Sequence, residues 1–587
     1  MRSVDRDRLR ATMTKVVFGT SESVFCGAWA LALSDPLETR VASRIEEVLP
    51  VLAFAEEQAR AGAYVAVMIA YEAAAAFDNA LSTHAGGEFP LVWVGVFDGA
   101  AARAEYAGGS FVSEGWKPRI DKAEYDAAVR RIHELIAAGD TYQVNYSFPL
   151  TSSFTGDGFA WYRELCAAQG APYSVYLDLG RYQVLCLSPE LFFSRNGDHV
   201  VTKPMKGTKS RGRWLEEDLD HAAWLRDSRK DRAENVMIVD LLRNDLGKVS
   251  VPGSVRVSSL FDVERFETVW QMTSTVESTL QPGTSLVELM SALFPCGSIT
   301  GAPKIRTMQI IRELERFPRG VYTGAIGFLR PGGDCFFNVA IRTVTIDTQT
   351  SVATFGVGGG VTIDSTAAGE YEECLVKSRF LQSKPVEFEL FESMLVEDGK
   401  IFLLERHVDR LRNSAAYFGF NFNEEALYAS LPHIPSQRAK LKLILRKDGH
   451  LTTETSPVIA HSEPKRVALA SSPVDSSDRF LFHKTTNRDF RDNVIFYNER
   501  NEVTESGIAN VVVRLNDELF TPPVSCGLLA GTFRQHLLEE GLIRERVVTV
   551  EELKNADEIF LINSVRKWMR AELIVEQDLR ASASKLL

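Results

Sequence analysis

Apolar positions recur at helical spacing at Tyr125, Val129, Ile132 and Ile136, and Gly139 stands where a C-terminal cap belongs, which predicts an amphipathic helix. Arg232–Leu246 predicts a second helix, closed by Gly247. Asp334–Asp347 (DCFFNVAIRTVTID) alternates as one strand, and Thr354–Val361 (TFGVGGGV) predicts a strand running into glycine turns. Alternation restarts at Phe388, breaks at a turn over Glu397-Asp398-Gly399 and resumes over Ile401–Leu404. Ala439–Arg446 and His450–Thr455 flank Lys447-Asp448-Gly449, a hairpin signal, and Val467–Ser472 alternates again. Helices and strands mix without a regular strand–helix beat, which predicts an α+β fold in both halves. The boundary falls in Leu381–Glu387 (LQSKPVE), where Pro385 blocks continuation of a charged helical pattern. Domains over 1–384 and 385–587 follow, with no internal repeat.

Composition narrows the class. The 587 residues carry 78 acidic against 66 basic side chains, 45% hydrophobic positions and 34 phenylalanines. That supply fills more than one core and excludes a disordered chain. A net charge of −12 argues against nucleic-acid backbone binding, although a local cation cluster can still take a small anion. No apolar run approaches the roughly 20 residues needed to span a bilayer. The N-terminus (MRSVDRDRLR) has no signal-peptide core, and Asp5 and Asp7 do not suit a transit peptide. The seven cysteines show no CxxC spacing, which argues against a disulfide framework or zinc site and for a cytoplasmic location.

Chemistry in the first half concentrates in three places. Lys206 lies in a Pro/Gly-bounded turn, TKPMKGT, sixteen residues after Glu190 in LSPELF. A lysine and a carboxylate on neighbouring strand ends suit a nucleophile and an acid, although spacing alone favours a surface lysine and a strand-capping glutamate. Glu370, Glu373 and Lys377 share one helix face, and Glu234 heads the helix pattern DRAENVMIVDLLRND. Carboxylates from two helices suit Mg²⁺ held partly by water and substrate oxygens, or else ordinary solvated faces. PCGSITGAPK and GVGGG can present N–H groups to an anion, and neither fits a Walker A or dinucleotide fingerprint. Arg342, in NVAIRT, offers a fork for a carboxylate.

In order, YQVNY, SPELF, PMKGT, DRAENVMIVDLLRNDLG, GSITGAPK, RGVYTGAIG, NVAIRT and GVGGG…EYEECLVK resemble the chorismate-utilising enzymes, which include the synthase subunits of anthranilate synthase and aminodeoxychorismate synthase. The resemblance covers about 115–380 and implies a large α/β sandwich domain; before 115 its clearest echo is Tyr71-Glu72-Ala73. Lysine at 206 marks the aminodeoxychorismate branch, where anthranilate synthases carry alanine. The implied roles are Lys206 as nucleophile at ring C2, Glu190 as general acid/base, and Glu234, Glu370 and Glu373 as Mg²⁺ ligands. Substrate contacts are implied at Gln143, Thr300, Gly301 and Lys377, with Arg342, Tyr322, Gly324 and Gly358 gripping the enolpyruvyl carboxylate. Enzymes that use water place a lysine near Gln143. Gln271, in VWQMTST, stands where the family usually has histidine; it still hydrogen-bonds a carboxylate but carries no charge.

In the second half, ERHVDRL, FHKTTNR, VTESGIANV and GLLAGTFR resemble, in order, the fold-type IV pyridoxal-phosphate enzymes over 388–587. That family holds branched-chain and D-amino acid aminotransferases and aminodeoxychorismate lyase, and it implies a two-lobed domain. Lys484 alone is unremarkable. The resemblance makes it the lysine that bonds the cofactor and moves protons, Glu505 the partner of the pyridine nitrogen, and Arg410 the phosphate ligand. Thr532, Phe533, Ser564 and Val565 are implied as further phosphate donors, in a loop reading GTFR where many relatives have a small β-branched residue before the arginine.

The combined expectation is a bifunctional enzyme that aminates chorismate and then expels pyruvate to leave 4-aminobenzoate. The alternatives are anthranilate-type amination, a fused aminotransferase, and a degenerate chorismate-binding subunit. No Gly-x-Cys-x-Gly element with a distant His-x-Glu is present, so ammonia is expected from solution or a separate glutamine amidotransferase subunit. A homodimer through the pyridoxal-phosphate domain is a further expectation.

Overall fold

Two sheets face each other in the first unit of the chain, one of nine strands and one of ten. The computed structural model describes residues 15–19, 29–101, 108–382, 384–432, 437–458, 464–491 and 493–574. Cys26 lies outside them, and the other six cysteines are buried and free. Between the sheets, Phe18, Val175, Leu177 and Val184 interlock with Ala66, Met68, Trp93 and Phe328. Helices Lys122–Ala137 and Gly158–Gln169 cover the outside of the first sheet through Tyr125, Ile132, Tyr162 and Leu165. Ile45–Arg60, Arg229–Gly247 and Leu286–Leu293 cover the second. The layers are therefore helix, sheet, sheet, helix.

Local chemistry explains the helix ends. Asp121 and Glu124 form a reciprocal capping box, with Glu124 N donating to Asp121 Oδ1 at 2.8 Å. Gly139 follows the last turn at φ +82. The second predicted helix starts earlier than its apolar pattern, at Arg229, because Ser228 caps it by accepting from Asp231 N.

Three expectations are corrected. Asp334–Asp347 is two strands, Cys335–Val339 in the larger sheet and Thr343–Asp347 in the smaller, and the chain changes sheets at Arg342, φ +51. Alternation persists across such a crossing, so periodicity does not reveal it. The GVGGG run is no turn: Val352–Val361 is one strand, paired residue for residue with positions 144–153 of the strand Gln143–Gly156. Lys206 lies in the strand Met205–Ser210, not in a turn.

The division into compact units is discontinuous: Met1–Ser210 with Ala222–Pro385, and Arg211–His221 with Val386–Leu587. A contiguous split near 385 misses the 211–221 segment, which is fixed in the second unit by buried pairing rather than by any sequence signal. Arg211 and Asp218 form a bidentate ion pair there, and Arg211 also donates to the Tyr417 carbonyl. The second unit has two lobes. A four-stranded sheet packs under Leu404–Phe418, and a mixed eight-stranded sheet carries Val511, Val513, Leu561 and Met569 inward.

Candidate active sites

Lys206 is the hub of the first unit. Burial lowers its ammonium below the usual lysine range, with Glu234 and Glu190 opposing. Burial pushes the Glu190 carboxyl up to about 7, against a 2.7 Å hydrogen bond from Ser298 Oγ and the charge of Lys206. Burial also raises Glu234, where Lys206 pulls back and Glu370 adds to the rise. Against burial, Lys377 at 2.8 Å draws Glu373 below its ordinary value. The structure thus gathers Glu190, Lys206, Glu234, Glu370, Glu373 and Lys377 into one electrostatic neighbourhood.

The glycine strand makes room for them. A β-carbon at Gly360 would lie 1.9 Å from Gln143 Nε2 and 3.4 Å from Lys206 Nζ, and one at Gly359 would lie 2.7 Å from Glu370 Oε2. Lys377 Nζ donates to the Gly358 carbonyl at 2.9 Å. The Tyr322 ring covers Gly356. Gln143 is buried, and among the described residues neither its amide oxygen nor its nitrogen has a partner. An orphaned buried amide costs about 1–3 kcal/mol unless a polar ligand takes it up. Arg342 donates to Gln169 Oε1 at 2.9 Å, burial lowers its guanidinium, and no carboxylate pairs with it among the described residues.

Other expected contacts are engaged within the protein. Gln271 donates from Nε2 to the Gly207 carbonyl at 2.8 Å and accepts from Thr208 Oγ1 at 3.0 Å, so its amide clamps the residues next to Lys206. Gly324 N donates to the Val321 carbonyl. Thr300 is fully buried and bonds back to Cys296 and Gly297, while Gly301, φ +138, lies against the Gln143 carbonyl. Sequence reasoning missed Ser298 and Gln169, which hold Glu190 and Arg342. It also missed the buried Arg319–Glu315 pair, whose Arg319 N donates to Glu72. Ser298 stood inside the GSITGAPK motif; Gln169 carried no signal.

For Mg²⁺, no group of three or more His, Cys, Asp or Glu side chains converges among the described residues. The fit is that of a few carboxylates sharing an ion with water and substrate oxygens: Glu370 raises Glu234, the relation two like charges have where a cation would relieve them.

In the second unit, Lys484, Glu505, Arg410, Thr532, Phe533 and Ser564 line one cavity of about 380 Å³. Burial and the Arg410 charge bring the Lys484 ammonium down to about 7. Glu505 accepts from Arg488 and from Leu529 N at 3.2 Å, and burial raises it. Arg410 donates to both Glu392 oxygens, at 2.8 and 2.6 Å. The helix Thr532–Glu539 begins behind Gly531 with no side-chain cap, so its first N–H groups are available to an anion. Ser564 Oγ donates to the Ser393 carbonyl, and Val565 N is taken by Asn563 Oδ1, so that part of the expected phosphate set is engaged. Arg488 and Glu392 were missed, although Arg488 stands four residues after Lys484 in KTTNR.

Residues 18–383 match the family described as chorismate binding enzyme, and residues 389–574 match amino-transferase class IV. The chain belongs to the chorismate binding enzyme family. Its second part is a class IV aminotransferase domain, a class that implies pyridoxal phosphate. Aminodeoxychorismate synthase component 1 of Bacillus subtilis is 43% identical over 258 residues, 44% of this chain and 54% of that protein. Anthranilate synthase component 1 of Streptomyces coelicolor is 42% identical over 269 residues, 46% and 52% of the two chains. The chain spans about half the length of these curated relatives. The crystal structure of anthranilate synthase component I from Streptococcus pneumoniae superposes with a TM-score of 0.51 at 25% identity, covering 63% of this chain and 90% of that one. No helix among the described residues is long and apolar enough to cross a membrane.

Proposed function

We propose that the chain makes 4-aminobenzoate from chorismate, aminating the ring in the first unit and eliminating pyruvate in the second. The observation that carries this reading is Lys206, a half-buried lysine with lowered basicity, set beside Glu190 at about 7 and the orphaned Gln143 amide. The neutral Lys206 amine bonds ring C2 as the C4 hydroxyl departs with a proton from Glu190. Ammonia then adds at C4, the C2–nitrogen bond breaks, and the Glu190 carboxylate recovers a proton. Arg342, with no carboxylate of its own, receives the enolpyruvyl carboxylate. Of the expected ligands Glu234, Glu370 and Glu373, the first two sense each other and would hold Mg²⁺ with water and substrate oxygens, while Glu373 is paired with Lys377; the ion would supply positive charge for the ring carboxylate. Lysine at 206 and the component 1 relative favour amination at C4 over the anthranilate reaction. The name component 1 also supports a separate glutamine amidotransferase as ammonia donor. Cytoplasmic action and pairing of two chains through the second unit complete the proposal.

In the second unit, pyridoxal phosphate, when bound, supplies an electron sink for the carbon that loses its proton. Lys484 would bond the cofactor, and its free amine, brought down to about 7, would take up and return that proton at Nζ. Glu505, held by Arg488, would take the ring nitrogen, and Arg410 with the Thr532 and Phe533 N–H groups would hold the phosphate. Fusion to an aminating unit favours the lyase over an aminotransferase.

The test is incubation of the purified chain with chorismate, ammonia, Mg²⁺ and pyridoxal phosphate. The expected products are 4-aminobenzoate and pyruvate. Anthranilate would overturn the first step, and accumulating aminodeoxychorismate the second. Lys484→Ala should remove the visible absorbance of the lysine-bound cofactor and stop at the intermediate.

A further inference from the structure

Behind the cavity of the second unit lies a buried chain of groups that does not touch its lumen. Glu392, 1% exposed, accepts from Arg410 through both oxygens and also meets His407 Nδ1 at 2.6 Å. On the far side of the same ring, His407 Nε2 stands 3.3 Å from Thr532 Oγ1. Thr532 and Arg410 line the cavity, whereas His407, also 1% exposed, meets it through Thr532 and, by way of Glu392, through Arg410.

The hydrogen bookkeeping is fixed by what each atom can do. A carboxylate accepts, so His407 Nδ1 carries its hydrogen toward Glu392. A neutral ring then has a lone pair at Nε2, and the Thr532 hydroxyl must spend its hydrogen on it. Thr532 in that state presents oxygen lone pairs to the cavity, which repel an anion. A protonated ring reverses this: Nε2–H donates to Thr532 Oγ1, and the hydroxyl hydrogen is released to an anion. The surrounding charges are Glu392 on the Leu390–Glu397 strand, Arg410 on the same helix, and Lys484. Arg406 and Glu539 pair on the exposed side of the two helices involved. Arg410 already balances Glu392, and burial keeps the imidazole below its ordinary range. Two negative charges arriving at Arg410 and Thr532 would draw a proton onto the ring.

Resting on the reading that this cavity takes a phosphate-bearing cofactor, we propose that Glu392 and His407 are positioning residues for its anion end. Entry of the dianion brings a solvent proton onto His407 Nε2 and turns the Thr532 hydroxyl hydrogen toward the phosphate.

The test uses the full chain stripped of cofactor and titrated calorimetrically with pyridoxine 5′-phosphate, which has no aldehyde to bond Lys484. At about pH 8 its phosphate, with a second pKa near 6, is a dianion. Buffers of different ionisation enthalpy report protons taken up per binding event. Uptake should fall by about one proton from wild type to His407→Gln, whose amide can still donate to Glu392 and accept from Thr532, with affinity lowered about tenfold. Thr532→Val, which leaves Glu392 and His407 in place, should lower uptake and affinity as well. Equal uptake in wild type and either variant would overturn the proposal. Failure of wild type to bind the probe would instead remove the cofactor reading of the cavity, and the proposal with it.

Discussion

At Lys206 burial makes the ammonium form costly, and the Glu234 and Glu190 charges offset that cost only in part. Replacing it with alanine should abolish chorismate amination while elimination from supplied aminodeoxychorismate continues, which product analysis of both half-reactions would check. Glu190 carries the pH dependence. Its carboxyl is raised to about 7, so the proton-donating form is present below that value and lost as pH rises through it. The rate of chorismate consumption should therefore fall above about pH 7. Glu190→Gln should lower it by about 10²–10⁴-fold and erase that limb. The resemblance named both residues, but Ser298, which holds Glu190 at 2.7 Å, was hidden among motif residues with no mark of its role.

At the scale of elements, the glycine strand Val352–Val361 matters most. Its glycines are read easily as turns, because loss of side chains and loss of regular structure leave the same mark in a sequence. In the fold they keep the strand and remove its bulk under Gln143, Lys206 and Glu370. Gly360→Ala should leave the fold intact and push the Gln143 amide aside, lowering kcat/KM for chorismate by about 10²-fold. The first unit's helix ends were legible, since capping needs residues a few positions apart. Asp121→Ala should cost about 1 kcal/mol in thermal or denaturant unfolding. The strand crossing at Arg342 was not legible, because an alternating pattern is the same whichever sheet receives it.

For the whole molecule, the second unit draws on residues far upstream of its main segment. Arg211 and Asp218 pair there with 7% and 1% side-chain exposure, and His483, next to Lys484, meets the Arg213 carbonyl from its Nε2. Asp218→Ala would remove the bidentate carboxylate from the Arg211 guanidinium and should destabilise this unit by about 3–5 kcal/mol. The expected signature is a lower temperature at which the Lys484 site releases its cofactor, followed by the visible absorbance.

Sequence by itself determined the α+β class, the order of the motifs and the cap at Gly139, since each depends on spacing along the chain. Tertiary structure decided which of the motif residues sense one another. Lys206 lies 28 residues before Glu234 and 167 before Glu373, and no local pattern encodes that their charges meet. It also decided that Gln271 turns inward to clamp the Lys206 strand, and that Glu392 and His407 stand behind the second cavity. Burial and distance make these relations, and both are properties of packed surfaces rather than of residue order.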